Sequence, residues 1–365
     1  MPVLVDNPGV GSSTRVSPKS RGRTNIITGR AKASSLPHVV SLFCGAGGLD
    51  WGFEKANFSV AIAFDKSRAA IKSHKHNFPK TTSVCADLRE LKSQGVIDHV
   101  LSVLDAGSPI GVIGGPPCQG FSRANSGSTP ADPRNSLVQL YLETIEALQT
   151  QFKVEFVVFE NVLGIKDKKH LATFQSLLDG LKALGFDVTD AEYCALDFGV
   201  PQNRKRVIVT AMAHDSGYPS IKVRKRSGPR NVGDAIKKLC PPAFFSRKLK
   251  TEDIPVHANH WTMRPKSARF SQLASAWRAT RSFRLTRWDA PSPTIAFGHR
   301  EIHVHPSCTR RLSIYEAMLL QGFPKVFILK GTLSDQVEQI SNAVPPPLAL
   351  AIAQGIRRAL LGPKP

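Results

Sequence analysis

One cysteine lies where a thiol could do covalent chemistry. Cys118 sits in GGPPCQGFS, residues 114–122, just after a run, 110–113, that reads as the end of a buried strand. Pro116 and Pro117 fix φ and cannot continue a ladder. Cys118 is therefore expected on a loop of restricted shape at a strand's carboxyl end, the edge of an open α/β sheet where ligands collect. Taken alone, Pro-Cys could equally be a tight turn with a packed cysteine. Two further groups stand in similar places. Glu160 closes the apolar run 154–159, and Gln202, Arg204 and Arg206 open a strand in DFGVPQNRKRVIVTA. Alone, these would be a solvated strand end and surface charges. Together with Cys118 they make a thiol, an acid and cations, all expected at one rim.

A second set of residues could hold a ligand. HVVSLF, residues 38–43, reads as a buried strand running into CGAGGLDWGF. Gly45, Gly47 and Gly48 let the backbone turn tightly and approach a bound group, ahead of a helix through about residue 57. The stretch is not the dinucleotide G-x-G-x-x-G, because Leu49 and Asp50 stand where the third glycine would fall. The next strand, 59–64, ends at Asp65. An acid about 20 positions after a glycine loop can hold ribose hydroxyls; an N-cap of the following helix is the equal alternative.

The elements that must position these groups alternate. After the helix ending near residue 77 come a strand at 83–85 with Asp87 behind it, the strand 110–113, and a helix over 135–150. A strand over 154–159 and a helix over 169–184 follow. This order predicts a doubly wound, mostly parallel α/β sheet of the Rossmann-like kind, with helices on both faces. Towards the end, RRLSIYEAMLLQGFP, residues 310–324, reads as an amphipathic helix stopped by Gly-Phe-Pro. A final helix follows ISNAVPPP, with Pro346 and Pro347 near its start, where proline is tolerated.

Charge divides the chain further. Its 365 residues carry a formal +21, with a pI near 10.0, which points to a polyanionic partner. Residues 215–290 hold 17 basic residues against five acidic ones, a net of +12 and more than half the total. A charge run is usually a solvated face, but this concentration favours a nucleic-acid surface. The expected division is a disordered basic tail at 1–37 and a catalytic domain at 38–214. A smaller recognition domain at 215–292 follows, then 293–365, which completes it and returns to the catalytic body. In the basic segment, Trp261, Trp277 and Trp288 alternate with arginines, and the spacing of Arg278, Arg281 and Arg284 would align them on one helical face. Six scattered cysteines have neither C-x-x-C nor zinc spacing, so neither a disulfide framework nor a metal is expected. No apolar run is long enough to span a membrane, and a soluble, cytoplasmic protein is the expectation.

Taken together, the motifs resemble those of the DNA (cytosine-5)-methyltransferase family, from about residue 38 to about 358 and interrupted only by the basic segment. SLFCGAGGLDWGF resembles its cofactor-binding first motif, and GGPPCQGFS its Pro-Cys nucleophile loop. FENV, PQNRKRV, RRLSIYEAMLLQGFP and SNAVPP follow in the family's order. Any one would be weak; six in order are specific. The resemblance implies S-adenosyl-L-methionine as methyl donor and cytosine in double-stranded DNA as acceptor. It makes Cys118, Glu160, Arg204 and Arg206 the catalytic set. Phe43, Gly45, Gly47 and Leu49 would form the cofactor loop; Phe64, Asp87, Leu88 and Pro116 would border the pocket, and Asn342 and Val344 would close it. Gln119 and Ser122, with Arg278, Arg281 and Arg284, would contact DNA. Three positions depart from the family pattern. Ala63 stands where an acid usually holds the ribose, so that bond is missing or Asp65 supplies it. Ser41 replaces a frequent Asp, and Ser341 the usual Gly before Asn342.

The chemistry so implied is demanding, because carbon 5 of cytosine is a poor nucleophile. A thiolate added to carbon 6 gives carbon 5 enamine character. A free thiol has a pKa of roughly 8.5, so a positive surround would help. A protonated Glu160 would stabilise charge moving to ring nitrogen 3, and the arginines would hold the cytosine carbonyl and a flanking phosphate. A base inside a duplex cannot reach Cys118, so it must be flipped out. The resemblance leans bacterial or phage, implies a monomer, and leaves open a cognate restriction endonuclease. Two alternatives stand beside it: a cytosine-5 transfer-RNA methyltransferase on the same fold, and a catalytically silent DNA-binding regulator.

Overall fold

The computed structural model describes residues 36–117, 121, 136–271, 283–294 and 303–362. The expected tail up to residue 35, Cys118, Gln119, Ser122, Trp277, Arg278 and Arg281 lie outside them.

The chain begins with β1 (His38–Leu42) and α1 (Gly48–Lys55), then β2 (Val60–Asp65), α2 (Arg68–Asn77) and β3 (Thr82–Cys85). A helix the sequence reading missed, α3 (Leu88–Leu101), is broken at Lys92, where the backbone leaves the helical region. Then come β4 (Pro109–Gly114), α4 (Ser136–Gln149), β5 (Lys153–Asn161), α5 (Leu171–Ala183) and β6 (Phe186–Cys194). The QNRKRV stretch gives a two-residue β7 (Gln202–Asn203) and a long β8 (Lys205–Ala213). One seven-stranded sheet results, in the order β3-β2-β1-β4-β5-β8-β6. β8 alone runs against its neighbours, pairing antiparallel with both β5 and β6. The order turns back between β1 and β4, and such a switch point opens a crevice at the carboxyl ends of the strands.

Strand alternation sorts the core into two layers, since successive side chains face opposite sides. Val40, Leu42, Ile62, Phe64, Val112 and Phe159 pack with residues of α3, α4 and α5. Val39, Val60, Ile113, Phe156 and Val158 face the other way, onto α1 and the last helix, α9. Between them the chain has few regular elements. Residues 214–294 hold α6 (Val232–Ile236), β9 (Ala243–Phe244), β10 (Trp261–Thr262) and β11 (Ser292–Pro293). The first part of this stretch is bound to the catalytic layers: buried Glu155 accepts hydrogen bonds from the Ser216 and Tyr218 hydroxyls at 3.1 and 2.8 Å. At its end β11 pairs with β7, Ser292 with Gln202 and Pro293 with Asn203.

α7 (Ile314–Leu320), α8 (Leu333–Asn342) and α9 (Pro346–Leu361) complete the fold. The helix expected over 310–324 is only seven residues long, capped by Ser313, whose side chain and Glu316 satisfy each other's backbone N–H. The residues before it are instead held by a bidentate pair, Arg310 to Glu316 at 2.7 and 2.8 Å. α9 starts with Pro346 in its first turn, as expected, and lies along α1. A Cβ on Gly48 would fall 2.5 Å from the Val344 carbonyl, and one on Gly52 2.4 Å from the Ala349 backbone. Only glycine allows that approach. Residues Leu36–Pro365 hold together as one unit.

Candidate active site

The carboxyl ends of β1 to β5 open on a cavity of about 390 Å³, within the usual size of small-molecule sites. Its first wall is the glycine loop. Phe43 has a φ of 55° and Gly45 one of 56°, two left-handed turns within three residues. For a phenylalanine that backbone is strained, and such strain collects at ligand sites. Asp65, at the end of β2, holds the loop: its Oδ2 accepts from Gly45 N–H at 2.9 Å and its Oδ1 from Ser67 N–H at 2.7 Å. Burial raises the Asp65 carboxyl, and those two backbone donors pull it back.

Ala63 is buried and packs with Cys44 and Ile71, whereas Asp65, two residues on and so on the same face of β2, borders the cavity. Asp65 is thus the β2 carboxylate that borders the cavity. The N-cap of α2 is Ser67.

Two expected cofactor residues do not line the cavity. Phe64 faces the opposite layer and is fully buried, with its ring edge-on to His99. One step in a strand flips a side chain across the sheet, which is why the residue after Ala63 cannot border the same space. Gly47, with a φ of 97°, turns the chain into α1 over the Phe78 ring, 2.2 Å from where a Cβ would stand. His74 stacks on Phe78 and bonds Asp50 Oδ1 at 3.2 Å and Ser83 Oγ at 2.8 Å, forming a buried polar layer beneath the loop.

The other expected residues, Leu49, Asp87, Leu88, Pro116, Asn342 and Val344, do line it. Asp87 caps α3 and pairs with Arg89 at 2.6 Å, which lowers its carboxyl to about 2, the paired guanidinium being the main cause. The sequence reading missed Lys66, Arg89 and the α8 residues Asp335, Glu338 and Gln339. The signal for α8 was present in its capping box, Thr332 with Asp335. In all, six carboxylates border the cavity against three basic side chains. That is an acidic pocket in a chain of net charge +21, and it suits a ligand carrying positive charge.

The catalytic end adjoins it. Gly115 passes close against the acid: a Cβ there would be 2.9 Å from Glu160 Oε2. Asn161, next to Glu160, donates from Nδ2 to the Pro116 carbonyl at 3.3 Å. Glu-Asn on β5 thus grips the loop that leads to Cys118. Arg206 Nε stands 2.7 Å from Glu160 Oε1, an ion-pair approach rather than an aligned hydrogen bond, with both groups nearly buried. Burial raises the Glu160 carboxyl, while Arg206 and then Arg204 draw it down; the net direction is up.

Arg204 departs from its expected role. It is fully buried and absent from the cavity wall, and its Nη2 donates to the Ser341 and Ala343 carbonyls at 2.6 and 3.0 Å. A guanidinium so engaged fastens the α8–α9 junction. Arg284 is exposed but not helical: its carbonyl accepts from Val304 N–H, and Leu285 bridges to Val304. The expected helical face therefore does not extend to Arg284.

Residues 38–358 match the family model for C-5 cytosine-specific DNA methylases. The chain belongs to that family. It is a DNA cytosine-5 methyltransferase. Among its relatives, the Type II methyltransferase M.NgoPII of Neisseria gonorrhoeae is 29% identical, over 88% of this chain and 96% of that one. M.NmeDI of Neisseria meningitidis serogroup C is 30% identical, over 88% and 84%. A prophage-encoded chain of E. coli described as a DNA modification methyltransferase superposes with a TM-score of 0.72 at 25% identity, over 89% of this chain and 99% of that one. The fold is also shared with S. pombe Dnmt2, at a TM-score of 0.58 and 16% identity. Among the described residues of the methyltransferase, no helix is long and apolar enough to cross a membrane, and no cluster could hold a metal ion.

Proposed function

We propose that the enzyme methylates carbon 5 of a cytosine turned out of duplex DNA, using Cys118 as a transient covalent nucleophile, within a restriction-modification system or as an orphan modification enzyme. The observation that carries this reading is the seating of Glu160. A buried acid with a raised pKa lies against Gly115, three residues before Cys118, at one end of the cavity that Asp65 and Asp87 border.

S-adenosyl-L-methionine fits the cavity's acidic lining, and when bound it supplies an electrophilic methyl group. Asp65, Asp87, Phe43 and Leu49 would hold it from the strand side, and Asn342 and Val344 from the other. The chain's own residues do the rest. The Cys118 thiolate forms a bond to carbon 6, and the carbon 5–carbon 6 π pair becomes available at carbon 5. Glu160, whose burial favours the protonated form, hydrogen-bonds ring nitrogen 3, where density accumulates. Arg206 steadies Glu160 and offers its guanidinium to the base or a phosphate. After transfer, carbon 5 loses its proton, the carbon 6–sulfur bond breaks, and the thiolate leaves with its electron pair. The net change is C–H to C–CH₃ with one proton released.

DNA would be read by the basic segment 215–292. Its opening residues are bound to the catalytic layers, so the reading surface begins nearer Asn231. Phosphate contacts would set position and a few side chains would read base edges. Fluorine in place of hydrogen at carbon 5 tests the covalent step, because it cannot leave as a proton does. Duplex containing 5-fluorocytosine should trap the wild type in a denaturant-stable adduct and leave Cys118→Ala free. A methylating wild type that forms no adduct would contradict the nucleophile.

A further inference from the structure

The segment from Ser216 to Arg230 climbs the flank of the catalytic body beside α9. Ile221 and Val223 pack into the layer that α9 shares with the sheet. Arg358, near the end of α9, donates to the Lys222 carbonyl at 2.7 Å, and Arg226 N–H bonds the Asp197 carbonyl at 2.9 Å. Gly228 meets Gly199 so closely that a Cβ on either would clash with the other's backbone. The backbone is thus pinned at three levels.

From Ser216 to Arg230 every charged side chain is basic and exposed: Lys222, Arg224, Lys225, Arg226 and Arg230. Among the described residues, Lys225 alone of these pairs with an acid, Asp197 at 3.2 Å, and Arg226 reaches Gln354 at 3.4 Å. Arg358 adds a further cation; burial, and then Arg224, hold it below the usual arginine range. Over residues 221–224 inward and outward positions alternate, Ile221 and Val223 facing α9 and Lys222 and Arg224 facing outward, and the basic residues after them stay exposed. The ridge lies away from the cavity. α9 starts beside Val344, and Arg358 is twelve residues on from Pro346, about 18 Å along the helix axis.

A fixed row of like charges costs folding energy through self-repulsion and lowers it when a polyanion lies across the row. We propose that this ridge is a second DNA contact, a sequence-independent surface for the phosphate backbone, separate from the segment that reads the target. The inference rests on duplex DNA being the substrate. Its spacing is set by packing on α9 rather than by a recognition fold, and it offers guanidinium groups, which match phosphate oxygens.

The test is a salt titration of binding to a 40-base-pair duplex of random sequence. It compares the wild type with the triple variant Lys222→Gln, Arg224→Gln, Arg230→Gln. These three side chains enter none of the hydrogen bonds or ion pairs given above. Each lost phosphate contact should flatten the plot of log K against log salt by about 0.9. The triple variant should therefore lose roughly 2 to 3 in slope and at least tenfold in low-salt affinity. Its thermal midpoint should not fall, since three repelling charges are removed, and its kcat at saturating DNA should stay unchanged. Should the triple variant fold poorly, Arg224→Gln alone should still flatten the slope by about 0.9. A slope and affinity within twofold of wild type would show the ridge to be merely solvated. A loss seen on RNA but not on DNA would also overturn the inference. Failure of methyl transfer by a wild type that binds DNA would count against the catalytic reading, and the slope comparison would still decide the ridge.

Discussion

Burial and two arginines pull the Glu160 carboxyl in opposite directions, and burial prevails. In the acid's raised state the folded protein binds the proton more tightly than the unfolded chain does. That contribution to stability is present below the ordinary carboxylate range and is lost as pH rises through the folded value. Catalysis should follow the same titration. A protonated Glu160 is the useful form, so kcat should fall on the alkaline side of its raised pKa. Glu160→Gln should lower kcat by about 10² to 10⁴, leave cofactor affinity within a few fold, and remove that alkaline limb from the pH profile. A pH–rate series on wild type and variant reads all three. An unchanged limb in Glu160→Gln would assign it to another group. Arg204, by contrast, works through other residues. Arg204→Met removes two hydrogen bonds to the Ser341 and Ala343 carbonyls, each to a charged donor and worth about 1.5–3 kcal/mol. The variant should melt lower and bind S-adenosylmethionine more weakly, because Asn342 and Val344 lie at that junction. Its kcat with saturating cofactor should fall far less than that of Glu160→Gln.

At the scale of elements, the contact of α1 with α9 closes the protein. The first helix leaves the glycine loop and the last leaves the Asn342–Val344 wall, so both sides of the cavity depend on their spacing. Gly52→Ala puts a methyl 2.4 Å from the Ala349 backbone, and overpacking of this kind costs about 1–3 kcal/mol. Chemical denaturation should report a loss in that range, with weakened cofactor binding. No loss would mean that the helices separate freely. β1, β2, β4 and β5 were legible in the sequence because they are short, largely apolar runs that end near a Gly, Asp or Glu. Much less was readable where tertiary contacts decide. α8 buries Gln336 and Gln339 beside its short stripe of Leu333, Val337 and Ile340, and β6, a sheet edge, mixes Asp187, Asp190 and Glu192 among its apolar residues. The site shows the same division. Glu160, Arg206 and Asp87 could be placed from strand ends alone. The direction in which Arg204 and Phe64 point could not, because one residue of register decides which face a side chain joins.

On the scale of the whole molecule, charge is sorted by task. An acidic cavity suited to a cationic cofactor lies within a chain of net charge +21 whose basic residues concentrate between 215 and 290. Such a division lets a polyanion settle on the surface without competing for the cavity. Family membership establishes cytosine-5 methylation; the nucleophile and the target remain the central claim. Bisulfite sequencing of plasmid DNA from cells expressing the wild type or Cys118→Ala tests it most directly. The account predicts unconverted cytosines at one short motif with the wild type and none with the variant. Protection that persists in Cys118→Ala, or full conversion with a folded wild type that binds its cofactor, would contradict it.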